Sequence, residues 1–165
     1  ALIAMGDSAG GNLASVASRL HNETKPARRV ALQVLAYPVA DCDFDTKSFH
    51  EFAEGYLLTR RDMMWFWDQY QPDAAKRRDP LASPLHTPDL SASPAALIVT
   101  AGLDPLRDEG EAYGERLRQA GVPTDVVRAD GLVHGFLAMG NYAPSAGRAL
   151  ERMLAAIDAT AACAT

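Results

Sequence analysis

Two runs of seven residues, Val30 to Ala36 (Val-Ala-Leu-Gln-Val-Leu-Ala) and 95–101 (Ala-Ala-Leu-Ile-Val-Thr-Ala), constrain the fold of this chain more than anything else in it. Both are almost wholly apolar and rich in branched residues. They show no alternation and stop at turn residues, Tyr37-Pro38 and Gly102. Such runs read as strands buried on both faces, and a sheet buried on both faces needs helices to cover it. The intervening sequence supplies them. Residues 10–21 place Leu13, Val16, Ala17 and Leu20 on one helical face, and residues 107–120 form an amphipathic helix stopped by Gly121-Val122-Pro123. A last helix carries Ala149, Leu150, Met153, Leu154 and Ile157 towards a core, with a tail at 159–165 that should fray. Two further strands, a short one at 2–5 ending on Gly6 and one at 124–128, complete the alternation. Strand and helix in alternation imply an α/β fold, a mainly parallel sheet flanked by helices, with functional groups at the carboxyl ends of its strands.

Residues 40–94 break this pattern. They hold several prolines, scattered aromatics and one helical stretch at 61–70 carrying Met63, Met64, Trp65, Phe66, Trp67 and Tyr70, and they read as an insertion. The net charge of -5 comes from interspersed acids, and basic residues occur only in short groups such as Arg60-Arg61 and 76–78, which argues against a nucleic-acid partner. No apolar run approaches the ~20 residues of a membrane span. Cys42 and Cys163, the two cysteines, are too few and too far apart for a disulfide framework or a zinc cluster. Free thiols, no metal and no organic cofactor are expected, with a lean towards the cytoplasm. The chain opens at Ala1 without a methionine, directly in a strand, so an N-terminal truncation is expected, and with it the loss of any signal peptide.

The sharpest chemical signal is Gly6-Asp7-Ser8-Ala9-Gly10, a G-x-S-x-G between strand and helix. Small flanking residues permit a turn tight enough to strain the serine and lift its hydroxyl above the sheet. The helix N-terminus and the Ala9 amide would stabilise an oxyanion. The plainer reading is a glycine-rich turn with Ser8 as the helix N-cap, or a phosphate cradle, although no lysine follows the glycines as a P-loop requires. A serine nucleophile needs a base and an orienting acid, in the chain order Ser, Asp or Glu, His. Asp104 stands just beyond the third strand, where the acid belongs, although Asp before Pro also serves ordinary turns. Asp108 and Glu109 fall in the first turn of the next helix and suit its dipole. Of the four histidines only His134 lies in a loop after the last strand; His21 ends a helix, and His50 and His86 are in the insertion.

These residues lie in extended motifs. Residues 6–14 (Gly-Asp-Ser-Ala-Gly-Gly-Asn-Leu-Ala), residues 104–110 (Asp-Pro-Leu-Arg-Asp-Glu-Gly), His134-Gly135-Phe136 and Tyr37-Pro38 together resemble the hormone-sensitive-lipase-like esterases of the α/β-hydrolase superfamily. The resemblance implies that residues 1–165 are the C-terminal part of an α/β-hydrolase domain starting at the nucleophile strand. It makes residues 40–94 a cap-type insertion that shapes an acyl or alcohol pocket. It implies a serine hydrolase cleaving small to medium carboxylic esters through an acyl-enzyme, with Ser8, His134 and Asp104 as nucleophile, base and orienter and Ala9 in the oxyanion hole. Asp7, Tyr56, Leu57, Trp65 and Phe136 are the candidate substrate-binding residues. Trp65, Phe66 and Trp67 cannot share one helix face, so core packing must claim part of that stripe.

The family's His-Gly-Gly-Gly oxyanion segment would lie upstream of Ala1. Removing one oxyanion donor costs about a hundredfold to a thousandfold, so the intact parent should be active and the isolated 165 residues unstable or nearly inactive. Two other readings stay open: an amide, lactone or carbamate hydrolase with the same triad, and a non-catalytic ligand-binding member of the fold. Oligomeric state is not legible in the sequence.

Overall fold

A computed structural model describes residues 1–140 and 142–162. Strands β1 (Leu2–Asp7), β2 (Val30–Ala36), β3 (Ala95–Leu103) and β4 (Thr124–Val133) form one sheet in the order β1-β2-β3-β4, and each neighbouring pair is parallel. Helices α1 (Ala9–Thr24), α4 (Arg107–Gln119) and α5 (Pro144–Ala162) lie along the sheet, while α2 (Lys47–Glu51) and α3 (Arg60–Tyr70) belong to the long segment between β2 and β3.

Successive residues of a strand face opposite sides of the sheet, so the two central strands feed two cores. Leu35 and Ile98 pack with Tyr113 and Leu117 of α4, whereas Val34, Leu97 and Val99 pack with Leu132, Phe136 and Met153 on the α5 side. The expected two-sided burial of β2 and β3 is therefore observed. A third cluster, with Val39, Phe49, Met63, Trp67 and Leu106, joins the long segment to the start of α4. Thr59 caps α3 in a reciprocal capping box with Asp62.

The structure corrects three expectations. Helix α1 does not bury Leu13 or Ala17; Leu13 is 58 % exposed, and the buried face carries Gly11, Asn12, Ser15, Val16, Ser18, Arg19 and Asn22. This face is held by directional bonds rather than by bulk. Asn12 donates to the carbonyls of Val39 (3.1 Å) and Ala82 (2.8 Å), and Asn22 exchanges two hydrogen bonds with the backbone of Val30. Strand β4 continues five residues beyond the expected 128, through Asp130-Gly131, because pairing with β3 resumes after an irregularity at Ala101/Leu103 and Gly131 takes a φ of +75°. Helix α5 runs on to Ala162 instead of fraying from 159; it buries Met153 but leaves Leu154 exposed. Cys42 is a free thiol, and Cys163 lies outside the described residues.

Candidate active site

Ser8 sits at the junction of β1 and α1 with φ 52° and ψ −123°, a backbone conformation that L side chains rarely occupy. Two close approaches make the turn this tight. A Cβ on Gly6 would lie 2.1 Å from the carbonyl oxygen of Gly10, and one on Gly11 would lie 2.9 Å from Cβ of Pro38. The Ser8 side chain makes no capping bond to the helix, which removes the N-cap reading. The Gly11 and Asn12 amides donate to the Ser8 carbonyl, leaving the Ala9 amide at the open start of α1.

Asp104 and His134 follow β3 and β4, so all three side chains rise from the carboxyl end of the sheet. His134 Nε2 lies 2.9 Å from Ser8 Oγ, and its Nδ1 lies 2.8 Å from Asp104 Oδ2. Asp104 is fully buried, and its other oxygen accepts from the Leu106 amide at 2.9 Å. An imidazole with its proton on Nδ1 donates to the carboxylate and accepts from the serine hydroxyl, which satisfies all three groups at once.

Residues 37–41, just past β2, touch each of these loops. The Tyr37 amide donates to Val99 at 2.7 Å, the Val39 amide to Ser8 at 3.2 Å, and the Ala40 and Asp41 amides to Glu109 Oε1 at 2.7 and 3.2 Å. Glu109 is therefore more than a partner for the helix dipole. It is buried, its second oxygen has no hydrogen-bond partner among the described residues, and burial pushes its carboxyl well above the usual carboxylate range. Asp108 accepts from the Ser48 amide and from Arg107. His86 pairs with Asp41 at 2.7 Å, and His21 meets the Arg28 carbonyl.

In front of Ser8 and His134 lies a cavity of about 710 Å³, walled by Ala9, Val39, Leu57, Met63, Phe66 and Tyr70 among others. A smaller, almost wholly apolar recess of about 210 Å³ shares several of those walls and reaches Leu13 and Trp67. Among the five expected substrate-binding residues, only Leu57 lines the cavity. Asp7 accepts from the Tyr37 hydroxyl at 3.2 Å, Phe136 is buried edge-on against Tyr37, Tyr56 packs on Phe52, and Trp65 is 58 % exposed on the outer face of α3. Met63, Phe66, Trp67 and Tyr70, which the sequence places in the pocket-shaping insertion without singling them out, have the spacing i, i+3, i+4, i+7 of a single helix face. That spacing was the available signal. Among the described residues no cluster of three or more metal-ligating side chains occurs, and no helix is long and apolar enough to cross a membrane.

A parallel sheet that carries a strained serine at a strand-to-helix turn, with carboxylate and imidazole beyond two later strands, defines the α/β-hydrolase architecture. A family model described as alpha/beta hydrolase fold matches residues 1–138, and the chain belongs to that family. It is similar to a carboxylic ester hydrolase, LipN, of Mycobacterium tuberculosis, 40% identical over 158 residues that make up 93% of this chain and 42% of the relative. It is also similar to an ethyl acetate hydrolase of Pseudomonas putida, 38% identical over 95% of this chain and 49% of the relative. A solved fungal esterase from Rhizomucor miehei superposes with a TM-score of 0.88 at 40% identity, covering 94% of this chain and 49% of that one. The expected likeness to esterases is thus borne out, and the chain spans about half the length of the relatives it matches.

Proposed function

We propose that this chain supplies the nucleophile, base and orienting acid of a serine carboxylesterase acting on small to medium esters. The observation that carries the reading is the continuous relay Ser8 Oγ, His134 Nε2, His134 Nδ1, Asp104 Oδ2, with links of 2.9 and 2.8 Å. In it, Ser8 Oγ attacks the ester carbonyl while Nε2 takes its proton. The C=O electrons move onto the carbonyl oxygen, and the Ala9 amide with the N-terminal end of α1 faces that developing charge. Nε2 then gives its proton to the departing alkoxide, leaving an acyl group on Ser8 and free alcohol. A water then attacks the acyl carbon while Nε2 takes its proton; as the acyl–Oγ bond breaks, Nε2 returns that proton to Ser8 Oγ and the acid leaves with the serine restored. Asp104 holds the productive tautomer and stabilises the imidazolium without taking the proton itself. The apolar walls on α3 suit an acyl or alcohol chain of a few carbons. Naming of the relatives as esterases favours an ester over an amide.

The test is release of p-nitrophenol from p-nitrophenyl butyrate by the full-length protein carrying this chain, beside its Ser8→Ala variant. Turnover in the parent that falls by at least about 10³-fold in the variant is expected. Equal rates in the two proteins would exclude Ser8 as nucleophile.

A further inference from the structure

Tyr37 is the residue in the sequence motifs for which the chemistry above has no use, yet its conformation is as unusual as that of Ser8. It is a bulky non-glycine residue with φ 36°, in the left-handed region, and it is 2 % exposed. A strained backbone persists only where its surroundings over-determine it, and such strain gathers at functional sites. Here the surroundings are the triad itself. The Tyr37 ring lies against the His134 imidazole with centroids 4.7 Å apart and planes tilted by 59°, and its other side meets Phe136 edge-on at 5.0 Å. The hydroxyl donates to Asp7, the residue immediately before Ser8. One phenol group therefore bridges the nucleophile turn and the histidine loop. Asp104 meets the imidazole at Nδ1 and Ser8 meets it at Nε2, both in the plane of the ring, so the tilt of the ring about the line joining those bonds is set by what packs beside it.

The geometry points to Tyr37 as a positioning residue for the reaction: its ring backs the His134 imidazole, and its hydroxyl, tied to Asp7, keeps that ring and the Ser8 turn in one register. The role rests on the serine-esterase reading above. Tyr37 touches no reacting atom. It acts through His134, on the rate of proton transfer, and leaves substrate affinity alone.

The test uses Tyr37→Phe, Asp7→Ala, the double variant and Tyr37→Leu in the full-length protein. Rates are taken per folded molecule after gel filtration. Two readouts are compared: kcat and KM on p-nitrophenyl butyrate, and the rate at which a fluorophosphonate captures Ser8, which needs the same imidazole but no ester turnover. Tyr37→Phe and Asp7→Ala should each lower kcat and the capture rate by about fivefold to tenfold with KM within about twofold, the effect of one lost hydrogen bond of ordinary strength. The double variant should be no slower than the slower single, because both remove the same bond. Tyr37→Leu should lose about a hundredfold, most of it recovered by the phenylalanine variant. A Tyr37→Phe protein at the parental rate, a change confined to KM, or a double variant losing the product of the two singles would overturn the role. If Tyr37→Leu fails to fold, the two single variants and the double still decide. A parent that is captured but turns over no ester would sink the ester reading alone, and the capture rates would still judge Tyr37. A parent that is never captured would overturn both.

Discussion

In the motif Gly6-Asp7-Ser8-Ala9-Gly10 the two glycines look equivalent, and the structure says that they are not. A Cβ added at Gly6 would stand 2.1 Å from the Gly10 oxygen, 2.4 Å from the Gly10 carbonyl carbon and 2.8 Å from the Gly11 nitrogen. All three are backbone atoms of the first turn of α1, so no side chain can swing aside. Since non-bonded heavy atoms settle near 3.5–4.0 Å, β1 and α1 would have to part by about 1 Å or more. Overpacking of this kind costs about 1–3 kcal/mol and can exceed it, and the movement falls on the residue that carries the hydroxyl, where a 1 Å misplacement costs about 10²-fold in rate. At Gly10 the nearest atom to an added Cβ is Asp7 Oδ1 at 3.8 Å, an ordinary contact. Gly10 is helical, so alanine there should stabilise by up to about 0.5–1 kcal/mol. The expected result is that Gly6→Ala lowers the unfolding free energy by about 2 kcal/mol or more, read as a lower urea midpoint at unchanged slope, and activity by about 10²-fold or more, while Gly10→Ala folds at least as well as the parent. If Gly6→Ala matches the parent in midpoint and p-nitrophenyl butyrate turnover, or if Gly10→Ala is the worse of the two, the steric account of the turn is wrong.

Two further outcomes follow from buried polar groups. Because Glu109 holds its proton more tightly folded than unfolded, its contribution to stability is complete below the ordinary carboxyl range near ~4.3 and is lost as pH rises through its raised value. The Glu109→Gln variant, whose amide oxygen can still accept from Ala40 and Asp41, should lose less stability than the parent between about pH 4 and pH 8 in urea titrations; parallel curves would show that the carboxyl is not the source. Asn12→Ala strands the carbonyls of Val39 and Ala82 without their donor, so it should cost about 2–4 kcal/mol, and a calorimetric loss under about 0.5 kcal/mol, typical of an exposed site, would refute that role.

Much of the architecture was legible because its signals are local. Strand β2 runs over the seven residues that its apolar run marks, and strand ends and chain order single out Ser8, Asp104 and His134, which the structure brings within hydrogen-bond distance of one another. What stayed hidden depends on partners distant in the chain. The buried face of α1 could not be read from apolar spacing, because Asn12 and Asn22 dock by hydrogen bonds to carbonyls that the sequence around them does not announce. Strand β4 outran its apolar stretch since its last residues are ordered by pairing with β3 across an irregularity. The place of Trp65 stayed hidden for a different reason: a run of adjacent aromatics does not show which helix face turns inward, and it is Met63, Phe66 and Tyr70 that line the cavity with Ser8 while Trp67 lines the neighbouring recess.

The strip at residues 37–41 separates two jobs that share one stretch of chain. Its amides are fastened to β3, to the Ser8 turn and to Glu109; from Cys42 onward the chain builds the wall over the cavity, tied back to the body at Ser48, Ala82 and Leu85 before it enters β3. The wall is thus hung from a fixed mount. On the proposed reading, exchanging Phe66 or Tyr70, which line the cavity without joining the Val39–Leu106 cluster, alters what the cavity admits and leaves the bonds that set the relay in place. The mount has no such freedom: a change there is felt by all three loops at once.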